Sequence, residues 1–513
     1  MKSNDKFYLT TAISYPNGRP HMGHAYEVVA TDVIARYHRL CGREVLFLTG
    51  TDEHGLKIAQ AARAAELSPR TYVDGMVLHF KELAAALNIS HDRFVRTTDP
   101  DHIIACQTLW RALEASGDLY LGRYEGWYSV RDEAYYEAAE LIEAEDASGA
   151  AIQLSPQGTP VEWTIEESWF FKLSAYANRL LALYDAHPEF VQPASRRNEM
   201  RSFVAGGLRD LSISRTSFDW GVPVPGSPGH VMYVWVDALT NYLTGAGYPD
   251  ANDWWPADLH VIGKDVVRFH AVYWPAFLMS AGLALPKTVF GHGHILNRGE
   301  KMSKSLGNVV DPLALAKTFG VDQLRWFLLR DVAFGDDGSY SDTAIAERSN
   351  ADLANGIGNL AQRALAMIAK NLNGSQPALI KEGEAEAALL AVLSAQSEAY
   401  RAAMTALQLH RAAEAIMLIV GAANGYFADA APWALRATDP ARMAAVLAQT
   451  VDAVRRIAIL AQPFMPATMA TLLDQLGVDA AARTIAALGT MVDAGTALPA
   501  PQGVFPRWAA DAA

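Results

Sequence analysis

The 513-residue chain contains only two cysteines, Cys41 and Cys106. Two thiols cannot build a disulfide framework, nor supply a zinc site made of four cysteines. A reducing cytosol is the expected compartment. The opening residues, MKSNDKFYLTTAISYPNG, lack the long apolar core of a secretion signal, and no apolar run stands out as long enough to span a bilayer. Positive charge is also short. Lys and Arg number 43 against 56 Asp and Glu, for a formal net charge of −13. That balance excludes coating a membrane or gripping nucleic acid along the whole surface, while leaving room for local basic patches. Apolar residues, in contrast, make up 51% of the chain. The length calls for more than one domain, and the apolar content suffices for several cores.

The first half alternates strand and helix patterns. FYLTTAIS (7–14) reads as a buried strand and YPNGRPHMGH as a loop. AYEVVATDVIARYHRL reads as a helix with Val29, Val33, Tyr37 and Leu40 on one face and Gly42 at its end. EVLFLTG is a second strand, with TDEHG at its carboxyl end. Strand, helix, strand at this spacing predicts a parallel βαβ unit. A second block follows later: DLHVIGKD as strand and turn, VVRFHAVYWPAFLMSAG as helix, KTVFGHGHIL as strand. Between the blocks, over roughly 117–225, short aromatic segments and an acidic, alanine-rich patch predict an inserted domain. After about residue 350 an alanine-rich helical pattern predicts a bundle.

Two loops carry the candidate chemistry. Ligands of doubly wound folds bind beyond the carboxyl ends of the strands. There the first block places Gly18, Gly23, His21 and His24, just before a helix N-terminus that attracts phosphate. Two imidazoles three residues apart also suit a metal, or merely a helix cap. The second block ends in NRGEKMSKSLGN, with Lys301 and Lys304 in a run without hydrophobic period. Alone, such a loop is a solvated turn. Taken together, histidines and lysines flanking one polyphosphate are the better reading.

These residues resemble a known family. HMGH and KMSKS match the two signature motifs of class I aminoacyl-tRNA synthetases. AISYPNGRPHMGH, TGTDEHG, YVWVDALTNY, VIGKDVVRFH, GEKMSKSLGN and APW, in this order, resemble methionyl-tRNA synthetases from Phe7 to about residue 470. The resemblance implies an α/β fold: a Rossmann-type catalytic domain with a doubly wound parallel sheet, interrupted by a connective insert and followed by an all-α bundle. The implied division is 1–116 and 226–330 for the catalytic domain and 117–225 for the insert. A linker over 331–355, an anticodon-binding bundle over 356–490 and a tail over 491–513 complete it.

The resemblance also implies roles. ATP would be held by His21, Gly23, His24, Gly263, Asp265, Lys301, Ser303 and Lys304, with Mg2+ accompanying it. His21, His24, Lys301 and Lys304 would act on the reacting phosphates. L-Methionine would be held by Ile13, Tyr15, Asp52, Trp235, Ala238, Leu239, Tyr242 and His270, Asp52 taking the ammonium. A thioether suits aromatic edges. Trp235 and Tyr242 also suit a plain core, and Asp52 a turn. The pocket reading is preferred because these residues fall at predicted strand ends or their loops. The anticodon of tRNA(Met), initiator and elongator, would meet Asn359, Arg363 and Trp433, although burial in the bundle is the other reading of Trp433. Arg196, Arg197, Arg201, Arg209 and Arg215 would either touch the acceptor end or cover a solvated face.

Two departures from the family pattern stand out. Leu239 occupies a position where some relatives have proline. Ser129 and Asp132 occupy zinc-knuckle cysteine positions, so no metal is expected, and Tyr124, Trp127, Tyr128 and Tyr135 are expected to hold the insert. The insert, about 110 residues, is too short for the editing domain that branched-chain synthetases need. A non-catalytic tRNA-binding paralogue is the other alternative, against which both intact motifs speak. A cytoplasmic monomer is expected.

Overall fold

The computed structural model describes residues 5–131, 134–146, 149–251, 253–297, 299–302, 310–379 and 383–508. The chain forms two compact units. One comprises Met1–Pro20, Leu46–Leu83 and His91–His292; the other His21–Val45, Ala84–Ser90 and Gly293–Ala513.

The first unit is built on a six-stranded sheet. Its strand order is Arg93–Arg96, Glu44–Thr51, Lys6–Thr11, Leu259–Gly263, Val289–His292, Val191–Gln192. Lys6–Thr11 pairs in parallel with Leu259–Gly263, with Leu9 opposite Leu259 and Thr11 opposite Val261. Leu259–Gly263 is likewise parallel to Val289–His292, and Glu44–Thr51 to Arg93–Arg96. The chain therefore leaves the two central strands in opposite directions. That reversal opens a crevice beyond their carboxyl ends, at Ala12–Tyr15 and Gly263–Asp265. Gly50 is required where the strands crowd: a Cβ there would lie 2.0 Å from the Val95 carbonyl oxygen and 3.1 Å from Ile13.

Two segments differ from expectation. YVWVDALTNY lies in a helix, Val234–Gly245, rather than at a strand end or loop. Nearly every side chain of it is buried, and burial all round erases the one-sided period that betrays a surface helix. VVRFHAVYWPAF contains a π-helical turn at Phe269–Tyr273 before the α-helix Trp274–Ser280.

The insert is an antiparallel sheet ordered Leu211–Ser212, Glu162–Phe171, Leu119–Ser129, Ala134–Tyr136. Trp127 faces Trp163 across it, rings 5.5 Å apart and edge-on, and Tyr128 is buried beneath the Arg215 guanidinium. The side chains of Tyr124 and Tyr135 lie outside the described residues, as does all of Asp132. Ser129 is buried and shares a hydrogen bond with Thr159 Oγ1 at 2.6 Å, which in turn lies 2.8 Å from Ser155 Oγ. Arg215 corrects an expectation: it is a buried residue stacked on Tyr233, unable to reach an acceptor stem from the surface. Arg201 and Arg209 stay exposed, paired with Asp185 and Glu137. Arg196 pairs with Glu199, and Arg197 donates to the Pro188 carbonyl.

In the second unit, the helices Asn359–Asn371, Glu384–Thr405, Leu409–Ala430, Pro440–Ala461 and Pro466–Gln475 form the bundle. The segment Leu409–Leu435 is long and apolar enough to cross a bilayer by length and composition, with a mean hydropathy of 1.2. Such a run had not stood out in the sequence. Its apolar side, including Ile416, Ile419, Ala423 and Phe427, is buried in the bundle. The helix Met22–Leu40, which HMGH begins, also belongs to this unit. It is tied there by Tyr37 against Tyr400, Tyr26 against Phe334 and an Asp32–Arg325 ion pair.

Candidate active site

The helix Met22–Leu40 starts on a reciprocal cap. His21 is the N-cap, and its Nδ1 accepts the Gly23 amide at 3.0 Å. His24 Nδ1 reaches back to accept the His21 amide at 3.1 Å. The capping reading of these histidines is thus correct in part, and it has a chemical consequence. With Nδ1 accepting in both rings, each neutral imidazole carries its proton on Nε2. The rings lie 4.0 Å apart at a helix N-terminus, so two N–H donors and the helix dipole gather at one place.

Lys301 lies in the short strand Glu300–Lys301, paired with Ile295–Asn297. Its side chain, and Ser303 and Lys304 entirely, lie outside the described residues.

The residues predicted for methionine, with Gly263 and Asp265, all belong to the first unit. Ser14 N donates to Gly50 O and Asp52 N to Ser14 O, both at 2.9 Å, so Ile13, Tyr15 and Asp52 meet where two strands end. Lys57 Nζ sits 5.2 Å from the centre of the Tyr15 ring. Asp52 is buried. Gly263 closes the strand Leu259–Gly263, and Asp265, exposed, lies in the short turn Lys264–Val266 after it.

Trp235, Ala238, Leu239 and Tyr242 stand at positions i, i+3, i+4 and i+7 along the helix Val234–Gly245, which puts them on one face. Leu239 is fully packed in the core. Trp235 is half-buried and lies flat on Phe269, ring centres 3.7 Å apart. His270 Nδ1 lies 2.9 Å from the Val266 carbonyl oxygen, which can only accept, so Nδ1 carries the proton. Nε2 then accepts from the Tyr242 hydroxyl at 2.6 Å. Burial pushes the His270 pKa down to about 4, only partly offset by its bond to Val266. His260, stacked 4.1 Å from Tyr242, is also driven well below the ordinary histidine range, first by burial and then by His270. The wall is therefore aromatic and uncharged, suited to a thioether.

Sequence reasoning missed the buried polar network behind this wall. Asp237 Oδ2 takes His54 Nδ1 at 2.6 Å, and Oδ1 takes His102 Nε2 at 2.7 Å. Burial raises the Asp237 pKa, but the charges and hydrogen bonds of His54 and His102 outweigh it and hold it at about 2. Cys106 Sγ lies 3.2 Å from His102 Nε2. Donor atoms of His102, Cys106 and Asp237 lie within 4.8 Å of one another. The His102–Asp237 separation is a hydrogen-bond length, and His102 Nδ1 is 2.9 Å from Thr244 Oγ1. The group is a hydrogen-bonded network. No local sequence signal marks it; His54 in TDEHG was the nearest clue.

In the bundle, Trp433 follows Pro432 at a helix start and is 49% exposed. Its ring meets Phe427 edge-on at 5.8 Å, and the Arg363 guanidinium lies 5.1 Å from it. The reading of Trp433 as bundle core is thereby excluded. Asn359, four residues before Arg363, begins the same helix.

Residues 7–365 match the family model "tRNA synthetases class I (M)", and residues 376–512 match "Anticodon binding domain of methionyl tRNA ligase". A methionine–tRNA ligase of Mesorhizobium japonicum is 56% identical over 512 residues, covering 99% of this chain and 98% of that one. One of Mycobacterium tuberculosis is also 56% identical, over 511 residues, 98% of each. The structure of Mycobacterium tuberculosis methionyl-tRNA synthetase in complex with methionyl-adenylate superposes with a TM-score of 0.95, at 56% identity, over 99% of this chain and 100% of that one.

Proposed function

The chain belongs to the class I methionyl-tRNA synthetases, and on that footing we propose how its residues divide the reaction. The activity is that of a methionine–tRNA ligase, activating methionine with ATP and joining it to tRNA. First a methionine carboxylate oxygen attacks the α-phosphorus. The bond from that phosphorus to its bridging oxygen breaks, and pyrophosphate leaves. Then a terminal ribose hydroxyl of the tRNA attacks the acyl carbon, and AMP departs. Negative charge grows on phosphoryl oxygens, so fixed donors and cations are the natural catalysts and no side-chain nucleophile is needed.

One observation above the others supports the ATP assignment. His21 and His24 both commit Nδ1 to the helix cap, which fixes both rings at the helix N-terminus, where the dipole favours an anion. Gly23, Gly263 and Asp265 are assigned to ATP on their motifs, and Mg2+ would neutralise part of the phosphate charge when bound. Lys301, Ser303 and Lys304 are assigned to the phosphates on their motif alone. Asp52 takes the methionine ammonium. Ile13, Tyr15, Trp235, Ala238, Leu239, Tyr242 and His270 shape the pocket, the buried ones from behind. Asn359, Arg363 and Trp433 read the anticodon of initiator and elongator tRNA(Met). The protein acts as a cytoplasmic monomer without structural zinc.

The test is ATP–pyrophosphate exchange, run for each amino acid without tRNA. Methionine alone should support it. Lys304→Ala should lower kcat on the order of a hundredfold, the usual effect of removing one donor to developing charge, with little change in the KM for methionine. Undiminished exchange in that variant removes the lysine from the mechanism.

A further inference from the structure

The turn Asp52–Gly55 is fastened residue by residue. Asp52 N donates to the Ser14 carbonyl. Glu53 is fully buried, and its carboxylate accepts four hydrogen bonds. They come from Thr51 Oγ1 at 2.7 Å, Thr98 Oγ1 at 2.6 Å, and Arg96 Nε and Nη2 at 2.7 and 2.9 Å. The Glu53 amide donates to Thr97 Oγ1 at 2.8 Å, and its carbonyl accepts Trp220 Nε1 at 2.6 Å. His54 meets Asp237, and the Gly55 amide donates to the Trp220 carbonyl at 3.0 Å. Gly55 has φ +105°, a backbone conformation that side chains rarely adopt.

Two buried carboxylates are an expensive way to hold a turn in place. Hydrophobic packing would stabilise the fold as well, so their use points to geometric specification. The carboxylates of Glu53 and Asp237 tie the turn to two different elements. Glu53 grips Arg96 and Thr98, at and just beyond the end of the neighbouring strand. His54 grips Asp237, which lies in the same helix as Trp235 and Tyr242 and two residues after the former. Asp237 is itself fixed from its other oxygen by His102, which Thr244 steadies. The His54–Asp237 hydrogen bond thus couples the turn that begins at Asp52 to the helix that forms the aromatic wall.

We propose that Glu53 and His54 are positioning residues. They hold the Asp52 carboxylate at a fixed distance from the aromatic wall, and so make the pocket selective for an amino acid whose ammonium and thioether are both engaged. This inference rests on the assignment of Asp52 to the ammonium. Neither residue touches the substrate in this role.

The experiment compares two inhibitors of pyrophosphate exchange: methioninol, which keeps the ammonium and the thioether, and 4-(methylthio)butan-1-ol, which lacks only the ammonium. For Asp52→Asn, methioninol should lose at least about tenfold in affinity while the des-amino alcohol changes by less than about twofold. His54→Ala and Glu53→Gln should reproduce that split, with a raised KM for methionine and an unchanged KM for ATP. Should His54→Ala fail to fold, His54→Asn retains a donor toward Asp237 and should give an intermediate loss of methioninol. A merely structural role would weaken both inhibitors alike, and that result overturns the proposal. If Asp52→Asn shows the split and the His54 and Glu53 variants do not, the positioning role fails and the Asp52 assignment stands. If Asp52→Asn shows no split, the assignment fails and takes the positioning role with it.

Discussion

Asp32 and Arg325 form an ion pair at 2.7 Å with neither side chain exposed to solvent. Asp32 lies on the helix that begins with HMGH, ten residues beyond its start; Arg325 lies on the helix Val321–Arg330. The guanidinium also donates to the carbonyls of Leu87, Pro463 and Phe464. Asp32 in turn accepts from Arg36 and from the amide and hydroxyl of Ser90. One buried pair therefore joins the HMGH helix to the start of the last bundle helix.

Breaking that pair should be costly, because it strands a buried charge. Arg325→Met should destabilise the protein by about 3–5 kcal/mol, while Asp32→Asn, which keeps part of the hydrogen bonding, should cost less. Denaturant unfolding measures both. Burial raises the Asp32 pKa, but Arg325, Arg36 and Ser90 more than reverse it, so the folded value is depressed. Its stabilisation is then complete above the ordinary aspartate range and lost as pH falls through the folded value. Asp32→Asn should flatten the acid limb of the stability profile.

His270 makes the opposite residue type behave with the same sign. Its folded pKa of about 4 lies below the ordinary 6.5, so the unfolded chain binds more protons between these values. Stability should be full above about pH 6.5 and decline as pH falls toward 4, by roughly 3 kcal/mol at most. His270→Gln should remove most of that slope while weakening the bond to the Tyr242 hydroxyl. Urea unfolding at a series of pH values checks it. A slope unchanged in the variant would locate the effect elsewhere, His260 being the next candidate.

Trp433→Ala should leave the fold and the tRNA-independent reaction alone. The ring is half exposed, so the core-truncation penalty of about 3–5 kcal/mol should not apply. If it stacks on an anticodon base beside Arg363, tRNA affinity should fall by about 1–3 kcal/mol. Charging of tRNA should fall with it, and methionine-dependent pyrophosphate exchange should not. A variant that charges normally would remove Trp433 from anticodon reading.

The insert should carry no stoichiometric metal. The Ser129 hydroxyl is engaged with Thr159, and through it with Ser155, where a knuckle cysteine would stand. Elemental analysis of the purified protein should find less than one zinc per chain. Chelator treatment should leave the thermal unfolding midpoint unchanged. Ser129→Ala, which removes a partner from the buried Thr159 hydroxyl, should cost about 1–3 kcal/mol.

Local chemistry was legible in the sequence. HMGH, read as a loop entering a helix, is such a start because its two histidines, three apart, can cap the first turn's amides without help from the rest of the chain. The first two strands were legible for the same reason, since a short apolar run followed by turn residues signals itself, although the first ends at Thr11 rather than Ser14. Whether Trp433 faces outward was left open by the sequence; the structure places it half exposed at a helix start. The helix Val234–Gly245 was not legible, because complete burial removed the polar face that gives a helix its period. The tertiary structure alone decided the contacts between distant residues. His54 and Asp237 are 183 residues apart, and Asp32 and Arg325 are 293. A buried charge needs a partner in space, and nothing in its own neighbourhood along the chain records which one the fold will bring to it.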